Sequence, residues 1–178
     1  MYDSILKFWF EELEPKDWWK KDSDFDQLIL DRFGKVHTQA TQGELFEWRK
    51  TAKGSLAEVI VLDQFSRNIF RDKPGSFQYD PMALTLSQIA IEKGFDQELS
   101  PDERVFLYMP FMHSESALIH EEAVKLYTQL GIQNNLDFEI KHKTIIDRFG
   151  RYPHRNKILG RESTEEEITF LSQPGSSF

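Results

Sequence analysis

The sequence predicts an all-α fold in which antiparallel helical neighbours stack as a bundle or solenoid-like layer within one domain, residues 1–172, followed by a frayed tail, 173–178. Two observations carry this. Helix start and stop signals recur along the chain, whereas no run of period-two alternation is bounded by Asn-Gly or Asp-Gly. The periodic segments, roughly 11–17 residues each, are joined by connections of about 3–7 residues, which favours neighbours running in opposite directions.

A first short helix is expected over 3–13, ahead of Pro15 and the Trp18-Trp19 pair. Ser23 opens a longer helix with Asp26 in its first turn, broken at Gly34 or Gly43. Ser55 to Glu58 reads as a capping box, and Leu56, Val59, Ile60, Leu62, Phe65 and Ile69 carry a helix to about Arg71, where Asp72-Lys73-Pro74-Gly75 ends it. Asp80 as cap with Pro81 in first place, and Gly94 as stop, define 81–93. Ser100-Pro101 with Glu103 starts the next helix, which Pro110 should end or kink. Ser114 is the expected cap of a helix reaching Leu130 and Gly131, and another spans about 136–149 before Gly150. Ser163-Thr164-Glu165-Glu166 reads as a capping box for a last helix ending near Leu171. One internal echo, Asp31-Arg32-Phe33-Gly34 against Asp147-Arg148-Phe149-Gly150, reads as the same helix-end solution used twice.

The 178 residues suit one domain able to bury roughly 70% of its unfolded surface. Fifteen Phe, four Trp and five Tyr supply the core, and the absence of Cys excludes disulfides and thiolate metal sites, with cytoplasm as the simplest compartment. The start, Met1 to Glu12, carries no export-signal pattern, and the longest apolar run, Val105–Met112, is far short of the ~20 residues a membrane span needs. A net charge of −8 disfavours general nucleic-acid binding.

Against that acidic background, residues 148–161 hold four of the nine arginines, and Lys141, Lys143, Arg148, Arg151, Arg155, Lys157 and Arg161 face Asp147 alone in 141–161. Segregated guanidinium groups require buried carboxylates or an anionic ligand. Pro153 can begin a short helical turn whose backbone donors, with His154, Arg155 and Asn156, would cradle an anion; equally, the arginines can tie the loop to Asp63, Glu103 or Glu115. On the 55–71 helix, Asp63 and Arg67 share one stripe and Gln64, Asn68 and Arg71 the next, either as an intrahelical pair with arginines near the negative helix end or as a partly buried binding stripe.

In Met109-Pro110-Phe111-Met112-His113-Ser114-Glu115 an apolar segment ends in His113, at the rim of the core, where it is either a hydrogen-bonded core residue or the best general acid or base. Glu115 reads as a helix-dipole partner. Phe138, His142, Ile145 and Phe149 share a face, which turns His142 inward. Glu139 and His142 form the Glu-x-x-His pair of carboxylate-bridged di-metal bundles, but a single pair falls short of that site, so no metal and no cofactor are expected.

Leu62-Asp63-Gln64-Phe65-Ser66-Arg67-Asn68-Ile69-Phe70-Arg71, Tyr108 to Glu115, and Arg148 to Arg161 with Glu162-Ser163-Thr164 resemble the bacterial domain-of-unknown-function family 924, as do Phe8-Trp9-Phe10, Trp18-Trp19 and Phe25-Asp26 near the start. The resemblance covers nearly the whole chain. It implies a tetratricopeptide-like stack of helical pairs but no established activity, substrate or cofactor. It also selects Asp63, Gln64, Arg67, Asn68, Arg71, His113, Ser114, Glu115, Arg148, Arg151, His154, Arg155 and Asn156 as motif positions. His120 stands where relatives have Gln, which makes it a poor ligand candidate, and Leu136 to Phe138 also depart from the family pattern.

The first functional expectation is therefore a binding module, with Asp63, Gln64, Arg67, Asn68, Arg71, Ser114, Glu115, Arg148, Arg151, Arg155 and Asn156 receiving a small anionic metabolite or carboxylate-bearing peptide. The alternative is a hydrolase or transferase acting on a phosphorylated or carboxylated compound with His113 or His154 as acid or base. RNA binding, with Phe149 and Tyr152 stacking on bases, is the third.

Overall fold

Two compact units emerge from the contacts, one comprising the chain through Arg71 together with Gly75–Pro110, the other Asp72–Pro74 with the chain from Phe111 onward. They are seen in a computed structural model that describes residues 2–177; Met1 and Phe178, the two ends of the expected domain and tail, lie outside the described residues. Every regular element among the described residues is helical, and none of their helices is long and apolar enough to cross a membrane.

In the first unit, α1 (Tyr2–Lys7) passes directly into a π-helical turn, Phe8–Glu12, whose wider winding turns Phe8 and Trp9 into the core. The Asp22 carboxylate accepts the Asp24 and Phe25 backbone N–H groups at 2.9 and 3.1 Å and so caps α2 (Ser23–Thr41), which Ser23 opens as expected. Gly34 lies inside α2 and does not break it, so the echo with Gly150 is not a shared helix end. The left-handed Gly43 (φ 73°) follows the end instead.

The cap of α3 (Ala52–Ile60) is Thr51, which accepts the Gly54 N–H at 3.1 Å, and not Ser55. The expected Ser55–Glu58 box fails because both residues are inside the helix and buried, with the Glu58 carboxylate holding Arg49 at 2.6 and 2.7 Å. Gly54 is required by proximity: a Cβ there would fall 2.2 Å from the Trp48 carbonyl oxygen. From α3 the chain continues through a second π-helical turn, Val61–Phe65, into α4 (Ser66–Ile69), so the stretch predicted to reach Arg71 is one near-continuous helix with an extra residue wound into its middle.

Before α5 (Asp80–Glu92) no side chain caps the backbone, because the carboxylate of Asp80, the expected cap, is engaged by Arg67. The predicted box ahead of α6 (Pro101–Met112) is present: the Ser100 hydroxyl accepts the Glu103 N–H at 3.4 Å and the Glu103 carboxylate accepts the Ser100 N–H at 2.9 Å. Pro110 sits within α6, which runs on to Met112. The core of this unit is aromatic, with Phe8, Trp9, Phe25, Phe33, Phe65 and Phe106 linked by ring centroids 5.0–6.4 Å apart.

In the second unit, α7 (Ala117–Leu130) and α8 (Gln133–Phe149) form a hairpin closed by the left-handed Gly131 (φ 77°). The cap position before α7 is Ser116, two residues beyond the expected Ser114, and α8 begins three residues ahead of the expected 136. Gly150 (φ 68°) ends α8 as predicted, and Pro153 opens a short 3-10 turn, Pro153–Arg155, that leads into α9 (Asn156–Leu159). The last capping box is shifted by one residue: Thr164 and Glu167 cap α10 (Glu165–Leu171) reciprocally. Ile145, Ile146 and Tyr152 form the core here, with Phe149 and Phe170 against it. Part of the predicted frayed tail folds back, since the Ser176 hydroxyl, in a buried residue, donates to the Leu171 carbonyl at 3.2 Å.

Candidate functional site

The residues singled out by sequence fall into two groups, one in each unit. In the first, the π-helical turn carries Asp63 and Gln64 into the interior, where they are 1% and 6% exposed. Arg67, one helical turn on, donates Nη1 to the Asp63 carbonyl at 2.7 Å, lies 3.1 Å from its carboxylate, and holds Asp80 with both terminal nitrogens at 3.0 and 3.1 Å. Gln64 donates to the Asp63 carboxylate at 2.5 Å. A turn further, Asn68 (2.8 Å) and Arg71 (2.7 Å) converge on Asp26 of α2. Asp26 and Asp80 are acceptors the sequence did not associate with this stripe, and they make its arginines cross-links between helices.

The second unit assembles the other group around Tyr152, which is fully buried. Its ring centroid lies 5.5 Å from that of His154, 5.8 Å from His142 and 6.3 Å from His120, and the Arg155 guanidinium stands 4.6 Å from it. The backbone N–H of Tyr152 donates to Glu115 at 2.7 Å, its carbonyl accepts from Arg161 at 3.1 Å, and its hydroxyl donates to the Met112 carbonyl at 2.5 Å. Arg155, itself buried, donates to the His113 carbonyl at 3.0 Å. Loop 150–155, the segment 112–115 and the α7–α8 hairpin therefore meet at one aromatic ring.

Carboxylates take up much of the basic loop. Arg161 grips Glu115 with both terminal nitrogens at 2.7 and 2.9 Å, Arg151 grips Glu167 at 2.7 and 2.8 Å, and Arg148 reaches Glu166 at 2.8 Å on the exposed surface. Asn156 joins the network by donating to Ser163 at 3.0 Å and accepting from Arg161 at 2.9 Å. Of the acids considered from sequence as partners for the loop, Glu115 is the one seen here, as an ion-pair acceptor more than as a helix-dipole partner. Glu166 was read only as a helix-start residue and Glu167 was not singled out, so neither was considered as a partner.

The electrostatics follow from these contacts. Burial works to raise the Glu115 carboxyl, but the Arg161 hydrogen bonds, the Tyr152 N–H and the nearby Arg155 outweigh it and hold the group below the usual carboxylate range. Arg151 pulls Glu167 down to about 2, against the opposing effect of burial and helped by the Thr164 N–H and Asn156. His142 is driven down to about 3, chiefly by burial, with His113, His120 and His154 adding to the effect. It is thus a neutral imidazole whose Nδ1–H donates to the Phe138 carbonyl at 2.8 Å. The inward His142 was foreseen, but the face on which it was placed is not uniformly buried, since Phe138 is 41% exposed.

The sequence reading passed over His120 and Glu139 as a pair. Both are fully buried, with His120 Nδ1 2.7 Å from Glu139 Oε1. The available signal was the helical stripe His120, Ala123, Tyr127, which marks the inward face of α7. Among the described residues no group of three or more His, Cys, Asp or Glu side chains could hold a metal ion.

A depressed acid gives a pH prediction. The stabilisation that Glu167 contributes is complete above the ordinary Glu value of 4.5 and is lost as pH falls toward about 2. Melting temperature measured over that window should fall more steeply for the wild type than for Glu167→Gln, and parallel curves would show that the Arg151 pair contributes nothing.

An all-α protein with this arrangement of helices and these motifs belongs to the family described as bacterial protein of unknown function (DUF924), whose profile matches residues 5–175. Among solved structures it is similar to a protein of unknown function from Agrobacterium tumefaciens, with 41% sequence identity, 96% of each chain covered and a TM-score of 0.91. No curated protein matches the chain.

Proposed function

We propose that this protein is a binding module for a small anion, a carboxylate- or phosphate-bearing metabolite or the carboxylate of a peptide, received beside Tyr152 by His113, His154 and Arg155. The observation that carries the reading is the gathering of the His120, His142 and His154 imidazoles and the Arg155 guanidinium about one buried ring. His120 and His142 face the Ser114 and Phe138 carbonyls, whereas a guanidinium beside two half-buried imidazoles is a donor set suited to an anion. His113 and His154 are half-buried, which suits groups that meet a ligand at the rim, while Arg151 and Arg161 brace the loop through Glu167 and Glu115.

The α7–α8 hairpin supports a tetratricopeptide-like stacking of helical pairs, and the Cys-free acidic chain fits the cytoplasm. Thermal-shift titration with phosphate, citrate, succinate, short peptides and a short RNA tests the reading. A small anion should raise the melting temperature saturably, RNA should not, and Arg155→Gln or His154→Gln should abolish the shift. A wild type indifferent to every anion, or variants that bind as well as it does, would overturn the proposal.

A further inference from the structure

The His120–Glu139 pair has a proton inventory that its geometry fixes. His120 Nε2 lies 2.8 Å from the Ser114 carbonyl oxygen, which can only accept, and 3.2 Å from the Tyr152 hydroxyl oxygen, whose own hydrogen is spent on the Met112 carbonyl. Nε2 therefore carries a hydrogen. The 2.7 Å contact between Nδ1 and Glu139 Oε1 requires a second one. If that hydrogen sits on Nδ1, the pair is an imidazolium and a carboxylate; if it sits on Oε1, both partners are neutral.

The other carboxyl oxygen decides between these states. Glu139 Oε2 is buried and has no hydrogen-bond partner among the described residues, in a side chain that is 0% exposed. Such an orphan is tolerable for the carbonyl oxygen of a neutral acid and far more costly for half of a carboxylate. We infer that Glu139 is a neutral carboxylic acid in the folded protein, donating its proton to His120 Nδ1 and thereby locking His120 as the Nε2–H tautomer that holds the Ser114 carbonyl. Burial also pushes the Glu139 carboxyl above its ordinary value, with His120 and the more distant Lys143 opposing.

This makes one proton the latch for the segment that carries His113, Ser114 and Glu115. When the pair loses a proton, Glu139 becomes a carboxylate, the shared hydrogen moves onto Nδ1, and the hydrogen of Nε2 leaves to solvent. The bare Nε2 lone pair then faces the Ser114 carbonyl, and the two repel. The groups that face the pair are Tyr152 from the loop and His142 and Lys143 from α8, while His113 and His154 act in turn on His142. Because the folded value is raised, the stabilisation is present below the ordinary Glu value of 4.5 and is lost as pH rises through the folded one. The latch does not depend on the anion proposal, since it is a property of the unliganded chain.

Carboxyl 13C and imidazole 15N NMR of the full-length protein at pH 7 test it. The expected spectrum has one protonated Glu carboxyl, absent in Glu139→Gln, and His120 as a neutral Nε2–H imidazole. Glu139→Gln, whose amide can donate to Nδ1 in the same way, should lose less stability than the wild type as pH rises from 5 to 9. If the variant does not fold, the wild-type His120 nitrogens decide alone. A doubly protonated His120, or ionisation of every Glu carboxyl at pH 7, would overturn the inference.

Discussion

Arg67→Ala is expected to be among the most damaging single substitutions in the first unit, at about 3–5 kcal/mol, the cost of breaking a buried ion pair from one side. The guanidinium spans two carboxylates, and truncation would leave Asp63 and Asp80, with side chains 1% and 11% exposed, without the group that neutralises them. The Asp63 carbonyl would also lose its 2.7 Å donor. Arg67→Lys should recover only part of the loss, because a single ammonium cannot reproduce the two-nitrogen grip on Asp80. Urea unfolding measures both variants, and a loss under about 1 kcal/mol for the alanine would place this residue among ordinary surface ion pairs.

Tyr152→Ala should be equally severe in the second unit, at about 3–5 kcal/mol for removal of a buried aromatic ring. The ring fills the core beside Ile145 and Ile146, and around it stand His120, His142, His154 and Arg155. Tyr152→Phe separates the contributions: it keeps the ring, leaves the Met112 carbonyl without its donor, and should cost about 1–3 kcal/mol. Equal losses for the two variants would mean that the hydroxyl, and not the ring, organises the cluster.

The helical character of the chain was legible because helix punctuation is local. Gly94, Gly131 and Gly150 take left-handed conformations at the expected stops, and Ser100 with Glu103 makes the box its spacing announced. Two of the failures share one cause, competition for a side chain by a partner elsewhere in the chain. Glu58 was read as a cap but is claimed by Arg49, and Asp80 was read as a cap but is claimed by Arg67. Both π-helical turns were invisible, since an extra residue wound into a helix leaves the apolar spacing nearly intact.

The candidate residues were legible as types and only in part as partners. Spacing on one helix foretold that Asp63 and Arg67 would meet, but not that Asp26 and Asp80 would complete the network. Likewise the arginine excess of 148–161 could be counted, while its neutralisation by Glu115, Glu166 and Glu167 depends on how loop 150–155 and α10 return to α7 and α8. His120 was set aside for departing from a family pattern, yet its position on the buried stripe of α7 makes it a central hydrogen-bonding residue of the second unit.

Imidazole 1H–15N correlation spectra recorded while citrate or phosphate is titrated into the full-length protein test the anion site most directly. His113 and His154 should shift together and saturably, with His37, buried in the other unit against the Ser66 hydroxyl at 2.8 Å, remaining in place as the internal reference. Spectra in which His113 and His154 stay fixed at saturating anion, or in which His37 moves as far as they do, would contradict the account.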